Sequence, residues 1–231
     1  MPCISGSVMT NSSRRWWLSV LVATAAMLVL VYAFTRDTKH WTVHAERIQA
    51  GGSERTFRIV VPDSDMRPAT AFPLVIAFHG IGDTAESMAE STDWDRLAGE
   101  QRFVLVYPNA RGGSWDITYP DEATSSPNAD IAFVDALIEH VSADYPVDGN
   151  RVYLIGMSHG AAFVRLLSAL RPQPFAAAVA HSGSEPNFMG DDASAYILPT
   201  LFVVGDADSV PTVEDVTLAA EQHAANGAQR N

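Results

Sequence analysis

The sequence predicts an α/β domain built on a mostly parallel sheet with helices on both faces. Two observations carry this. Short, continuous apolar runs of the kind found in strands buried on both faces recur along the chain, and they alternate with stretches of helical periodicity. The chain of 231 residues, 47% hydrophobic and 18% charged, is also long enough for one large domain with a substantial core. That apolar content excludes a disordered chain, and no collagen-like or heptad repeat is present. A net charge of −12 argues against a nucleic-acid partner. Cys3 is the only cysteine, which excludes an intrachain disulfide and a cysteine zinc site.

The N-terminal part reads as a targeting segment. Residues Trp16 to Phe34 form nineteen positions without a charge, preceded by Arg14 and Arg15 and with no acid before Asp37. A helix needs about 20 apolar residues to cross a bilayer, and the flanking arginines favour a cytoplasmic N-terminus. Ala23-Thr24-Ala25, the small-residue stretch a signal peptidase would need, sits inside the apolar run rather than after it. The expected layout is therefore a cytoplasmic tail (1–15), a transmembrane signal anchor or signal peptide (16–34), a stalk (35–44) and the α/β domain (45–231). Ser13-Arg14-Arg15-Trp16-Trp17-Leu18 also resembles a twin-arginine export signal. Either route puts the domain outside the cytoplasm, membrane-anchored or, after cleavage, secreted.

Along the domain, Arg58 to Pro62 reads as a strand ended by proline. Phe72 to Phe78 and Phe103 to Pro108 are apolar runs typical of buried parallel strands, and Arg151 to Ile155, Phe175 to Ala180 and Thr200 to Val204 follow. Ile131, Val134, Ile138 and Val141 stand at helical spacing with Asp135 and Glu139 off that face. Ala161 to Leu170 and Val213 to Ala225 also read as helices. Gly112 to Asn128, rich in Ser, Pro and Asp, reads as a long loop of the kind that often serves function.

The chemistry centres on Gly156-Met157-Ser158-His159-Gly160, a G-x-S-x-G. An apolar strand runs into it and a helix runs out, the setting of the nucleophile elbow in an α/β-hydrolase-type fold. The flanking glycines permit a strained turn that lifts the Ser158 hydroxyl, and the helix N-terminus favours developing negative charge. Phe78-His79-Gly80-Ile81-Gly82, directly after a buried strand, is the candidate oxyanion loop. The backbone N–H of Ile81, with Gly80 as the alternative, and that of His159 are the expected donors. The His79 side chain is expected to pin this loop by hydrogen bonds.

In this fold the triad runs Ser, acid, His. Gly205-Asp206-Ala207-Asp208, after an apolar strand, supplies the acid: Asp208 first, Asp206 in reserve, with helix capping by either as the non-catalytic alternative. No catalytic histidine is identified. His223 lies mid-helix, His40 and His44 fall in the stalk, and His140 falls on an exposed helix face. His159 adjoins the nucleophile and cannot turn back onto it, and His181 ends a strand. The domain is therefore expected to lack its last strand and to be incomplete at the C-terminus.

Four stretches together resemble the polyhydroxybutyrate depolymerase and feruloyl esterase group of α/β-hydrolases: Pro73 to Gly80, Val147 to Gly160, Phe175 to Ala180, and Gly205 to Pro211. Asp130-Ile131-Ala132-Phe133-Val134 is similar to the helix before the family's elbow. The likeness spans about residues 55–228. It implies an extracytoplasmic serine carboxylic-ester hydrolase acting on polymer or small esters, of the polyester, feruloyl or acetyl type, with no metal or organic cofactor. It also puts Trp115 near the cleft, as a substrate platform or a packing aromatic. The alternative is a truncated, catalytically impaired relative without the triad histidine.

Overall fold

A computed structural model of the chain describes residues 24–27, 39–63, 71–118, 128–183 and 198–228. It divides into two units, Met1–Lys39 and His40–Asn231. In the first, residues 24–27 are helical. The rest of the predicted membrane segment lies outside the described residues, among which no helix is long and apolar enough to cross a membrane.

The described residues of the second unit form one sheet of seven strands: β1 (Trp41–Ala50), β2 (Ser53–Pro62), β3 (Phe72–Phe78), β4 (Val104–Pro108), β5 (Val147–Met157), β6 (Phe175–His181) and β7 (Thr200–Val203). Their order is β1-β2-β4-β3-β5-β6-β7. The pairs β1–β2 and β2–β4 are antiparallel, and every pairing from β4 through β7 is parallel. The helices are α1 (Ala85–Ser91), α2 (Trp94–Gln101), α3 (Ala129–Asp144), α4 (His159–Leu170) and α5 (Val213–Ala228).

The period of two along a strand divides the core between two faces. Leu74, Ile76 and Phe78 of β3, with Val104 and Val106 of β4, join a cluster with Phe133, Val134 and Leu137 of α3 and Phe163 and Leu167 of α4. The intervening Ala77, Leu105 and Tyr107 join Met88 of α1 and Ala98 of α2 in a second cluster. Both faces are thus covered, and the expected α/β class holds.

The first hairpin departs from expectation. β1 starts at Trp41, inside the segment expected to be a stalk, so His44 belongs to the sheet. β1 is polar and mostly exposed, with little apolar pattern to reveal it. Its turn is Gly51-Gly52, with φ of 58° and 78°, a two-residue connection whose positive φ at both positions suits glycine. A Cβ on Gly51 would also fall 2.6 Å from the carbonyl oxygen of Ala129. Beneath this hairpin Arg55 and Asp130 form a buried ion pair at 2.6 Å. The Arg55 guanidinium lies 4.1 Å from the Phe133 ring centroid and donates to the Asn109 carbonyl.

His140 is also placed differently. It is half-buried rather than on an exposed face, and its Nε2 lies 2.8 Å from a Glu46 carboxylate oxygen. Glu46 also accepts from the Tyr145 hydroxyl. These hydrogen bonds outweigh partial burial and hold the Glu46 carboxyl below its ordinary range.

Candidate active site

Ser158 stands between the last residue of β5 and the first of α4, with φ 54° and ψ −119°. A non-glycine residue held there carries backbone strain of about 1–3 kcal/mol. Main-chain contacts impose it. The Ser158 N–H donates to the His181 carbonyl at 2.9 Å, and the Ser158 carbonyl accepts from Ala161 and Ala162. The side chain is left exposed.

Close packing explains the flanking glycines. A Cβ on Gly156 would lie 2.2 Å from the Gly160 carbonyl oxygen, and one on Gly160 would lie 2.2 Å from that of Phe78. On the far side, a Cβ on Gly183 would meet the Ala161 Cβ at 2.3 Å and the Ser158 carbonyl at 2.9 Å. The elbow is therefore packed between the end of β3, the end of β6 and its own helix.

The loop after β3 lies against the serine: a Cβ on Gly80 would come 3.6 Å from that of Ser158. Gly82 donates to the Gly113 carbonyl at 2.8 Å and Asp83 to that of Gly80 at 3.2 Å. The Ile81 N–H, one residue before Gly82, has no acceptor among the described residues. The His159 N–H, at the first position of α4, is one of the donors a helix start leaves unpaired. The His159 N–H directly follows the serine in the chain, and the Ile81 N–H follows Gly80, whose Cβ position lies against that serine.

His79 does what was expected of it. Its Nδ1 donates to the Gly80 carbonyl at 2.7 Å and its Nε2 accepts from the Ala110 N–H at 3.1 Å. Burial pushes its pKa down and keeps the ring neutral. Trp115 is a packing aromatic, not an exposed platform. It is 2% exposed, stacks on Phe163 with centroids 5.1 Å apart, and donates from Nε1 to the His79 carbonyl at 2.9 Å.

Asp208 and Asp206 share the turn after β7. Because β5, β6 and β7 are neighbours in one parallel sheet, this turn stands two strand spacings, about 10 Å, from the elbow at the same sheet end. Asp206 is exposed and bonded to no described side chain. Asp208 is half-buried, and its Oδ2 accepts from the Ser182 hydroxyl at 2.6 Å and from the Gly205 N–H at 3.1 Å. The Ser182 hydrogen bond, then the Gly205 bond, hold its carboxyl below the ordinary range, and nearby His181 acts in the same direction.

No histidine ring is hydrogen-bonded to Ser158 or Asp208 among the described residues. His159 directs Nε2 to the Trp115 carbonyl at 2.9 Å and the Ser114 hydroxyl at 3.2 Å, away from the serine. His223 is on a packing face of α5, with Nε2 3.0 Å from the Leu198 carbonyl oxygen and its ring against Phe202. His181 has a buried Nδ1 without a described partner. Sequence reasoning missed Ser182; the signal was a serine directly after β6, one strand from the acid. Among the described residues no group of three His, Cys, Asp or Glu side chains could hold a metal ion.

The chain is similar in sequence and fold to known proteins. Feruloyl esterase B of Neurospora crassa is 32% identical over 125 residues, 53% of this chain and 42% of that protein. Poly(3-hydroxyalkanoate) depolymerase C of Paucimonas lemoignei is 30% identical over 121 residues, 50% of this chain and 28% of that protein. The chain therefore spans less than half the length of these two relatives. Among solved structures, an S-formylglutathione hydrolase of Staphylococcus aureus superposes with a TM-score of 0.65 over 81% of this chain and 87% of that one at 14% identity, a likeness of fold alone. Residues 61–219, from the end of β2 through the elbow and the acid turn into α5, match the profile of one family, and the chain belongs to it: the Esterase PHB depolymerase family.

Proposed function

We propose that the chain carries the nucleophile, oxyanion and acid parts of an extracytoplasmic serine carboxylic-ester hydrolase. The observation that carries this is the strained, exposed Ser158 between β5 and α4, with the Ile81 and His159 N–H groups without an acceptor among the described residues. Ser158 Oγ adds to the ester carbonyl carbon. The N–H groups of Ile81 and His159 hold the oxyanion, and its collapse expels the alcohol, which takes the serine proton through a base. Water then cleaves the acyl-serine to the acid and restores Ser158. Asp208 is the acid that orients the base; its half-burial and two hydrogen bonds favour it over Asp206. The names of the relatives support a feruloyl, acetyl or hydroxyalkanoate ester as substrate class. The uncharged run Trp16–Phe34 supports export and membrane attachment.

The base is the part these residues do not bring to Ser158, and this favours a second reading for the 231-residue chain: a catalytically impaired form. In a serine triad the loss of histidine alone costs about 10⁶ in kcat, while the oxyanion hole and binding retain about 10³ over water. Hydrolysis of a short aryl ester by the purified chain tests both. The expected result is slow turnover that Ser158→Ala removes. Turnover near ~10 s⁻¹, ordinary for enzymes, would mean that a described histidine is the base, with His223 and His181 the first to substitute. A rate untouched by Ser158→Ala would overturn the nucleophile.

A further inference from the structure

Between the nucleophile and the acid lies the segment His181-Ser182-Gly183, which the mechanism above leaves unused. Its three residues contact both sides of the site. The His181 carbonyl accepts the Ser158 N–H at 2.9 Å. Gly183 packs so tightly on the elbow that a Cβ there would lie 2.9 Å from the Ser158 carbonyl oxygen. Ser182 itself has φ 48°, a left-handed conformation that serine seldom takes, and its N–H donates to the Val203 carbonyl at 2.7 Å. This conformation accompanies a hydroxyl turned onto Asp208, 2.6 Å from Oδ2. Strain of this kind persists only where the surroundings impose it, and it collects at functional sites.

We infer that Ser182 is the positioning residue for the acid: it ties the Asp208 turn to the nucleophile elbow and occupies Oδ2, which leaves Oδ1 as the oxygen to receive an imidazole N–H. The inference rests on the reading of Asp208 as the acid. Three observations support it. Oδ2 already accepts two hydrogen bonds, from Ser182 and from Gly205, and a carboxylate oxygen so engaged has little capacity left for a third donor. Asp206, in the same turn, has no such tether to a described side chain. The path from Ser158 to Asp208 runs through one short segment of main chain and one hydroxyl, so the two are held at a fixed spacing without any contact between them. A hydroxyl donor to an ionised carboxylate is also among the stronger hydrogen bonds. His181 lies close enough to act on Asp208 in the same direction.

The test is a carbon-detected NMR titration of the Asp208 carboxyl in the full chain, assigned with Asp208→Asn. Ser182→Gly removes the hydroxyl and relieves the positive φ, so the backbone is not strained by the change. Ser182→Asn keeps a donor on a residue that tolerates φ above zero. In Ser182→Gly the Asp208 midpoint is expected to rise toward the ordinary carboxylate range while that of Asp206 stays. Ser182→Asn is expected to restore part of the shift. A midpoint unmoved by Ser182→Gly overturns the inference. A purely structural role would lower the melting temperature without moving Asp208 selectively. Failure of Ser158 to react with an active-site probe would instead strike at the proposed nucleophile, and the Asp208 titration would still decide the role of Ser182.

Discussion

Gly160→Ala isolates the packing that shapes the elbow. The added Cβ would fall 2.2 Å from the Phe78 carbonyl oxygen and 2.6 Å from that of His79, about 1 Å inside ordinary contact. Both oxygens are main chain at the end of a buried strand and cannot rotate away. Overpacking costs typically 1–3 kcal/mol, and a backbone obstacle puts this site near ~3. Replacing glycine in a helix returns at most about 1 kcal/mol, so the net loss is about 2 kcal/mol. For a domain of this size each kcal/mol moves the melting temperature by about 2–4 °C, which gives a fall of about 4–8 °C. The relief movement separates α4 from the His79–Ile81 loop, so the oxyanion donors move away from Ser158. Calorimetry of the variant checks the magnitude. Gly149→Ala is the control, since its Cβ meets nothing within 4 Å, and it is expected to be neutral or stabilising by up to about 1 kcal/mol. A Gly160→Ala protein that melts at or above the wild-type temperature would refute the reasoning.

Asp130→Ala leaves the Arg55 guanidinium, 3% exposed, without its carboxylate and also strips an acceptor from the Asp116 N–H. A loss of about 3–5 kcal/mol is expected, read as a lower midpoint in urea unfolding with an unchanged slope. His79, with its pKa pushed below the ordinary 6.5 by burial, stays neutral in the folded protein while the unfolded chain binds a proton. Its contribution is therefore fully present above about pH 6.5 and declines as pH falls from there toward the lowered folded value. Melting temperatures across this range are expected to rise with pH and then level off, with the His79-dependent part of the slope gone in His79→Asn.

The parallel half of the sheet was legible in the sequence because strands buried on both faces are continuous apolar runs. The run Phe72–Phe78 coincides with β3, and the run from Phe103 exceeds β4 (Val104–Pro108) by one residue. The elbow was legible for a different reason: no other residue than glycine fits where β3 and α4 meet their neighbours. What escaped was built from polar contacts. β1 shows no clear alternation because most of it faces water, although Gly51-Gly52 carried a hairpin signal. The short helices α1 and α2 were also missed. α1 rests on a Thr84–Ser87 capping box rather than on a long apolar stripe. The Arg55–Asp130 pair and the Ser182–Asp208 bond join residues 75 and 26 positions apart, and neither pattern nor composition reveals partners so distant in sequence. The sequence ranks Asp208 before Asp206, and the Ser182 hydrogen bond adds a physical reason for that order which the sequence does not display.

Reaction of the purified chain with a fluorophosphonate probe, followed by mass spectrometric mapping of the adduct, tests the central claim most directly. An exposed serine with N–H groups at Ile81 and His159 that have no acceptor among the described residues should form a phosphonyl adduct at Ser158 even where turnover is slow, because the same donors stabilise the phosphonyl oxygen. The account predicts one adduct, on the peptide containing Gly156 to Gly160, absent in Ser158→Ala. An adduct on any other residue, or labelling that persists in Ser158→Ala, would contradict it.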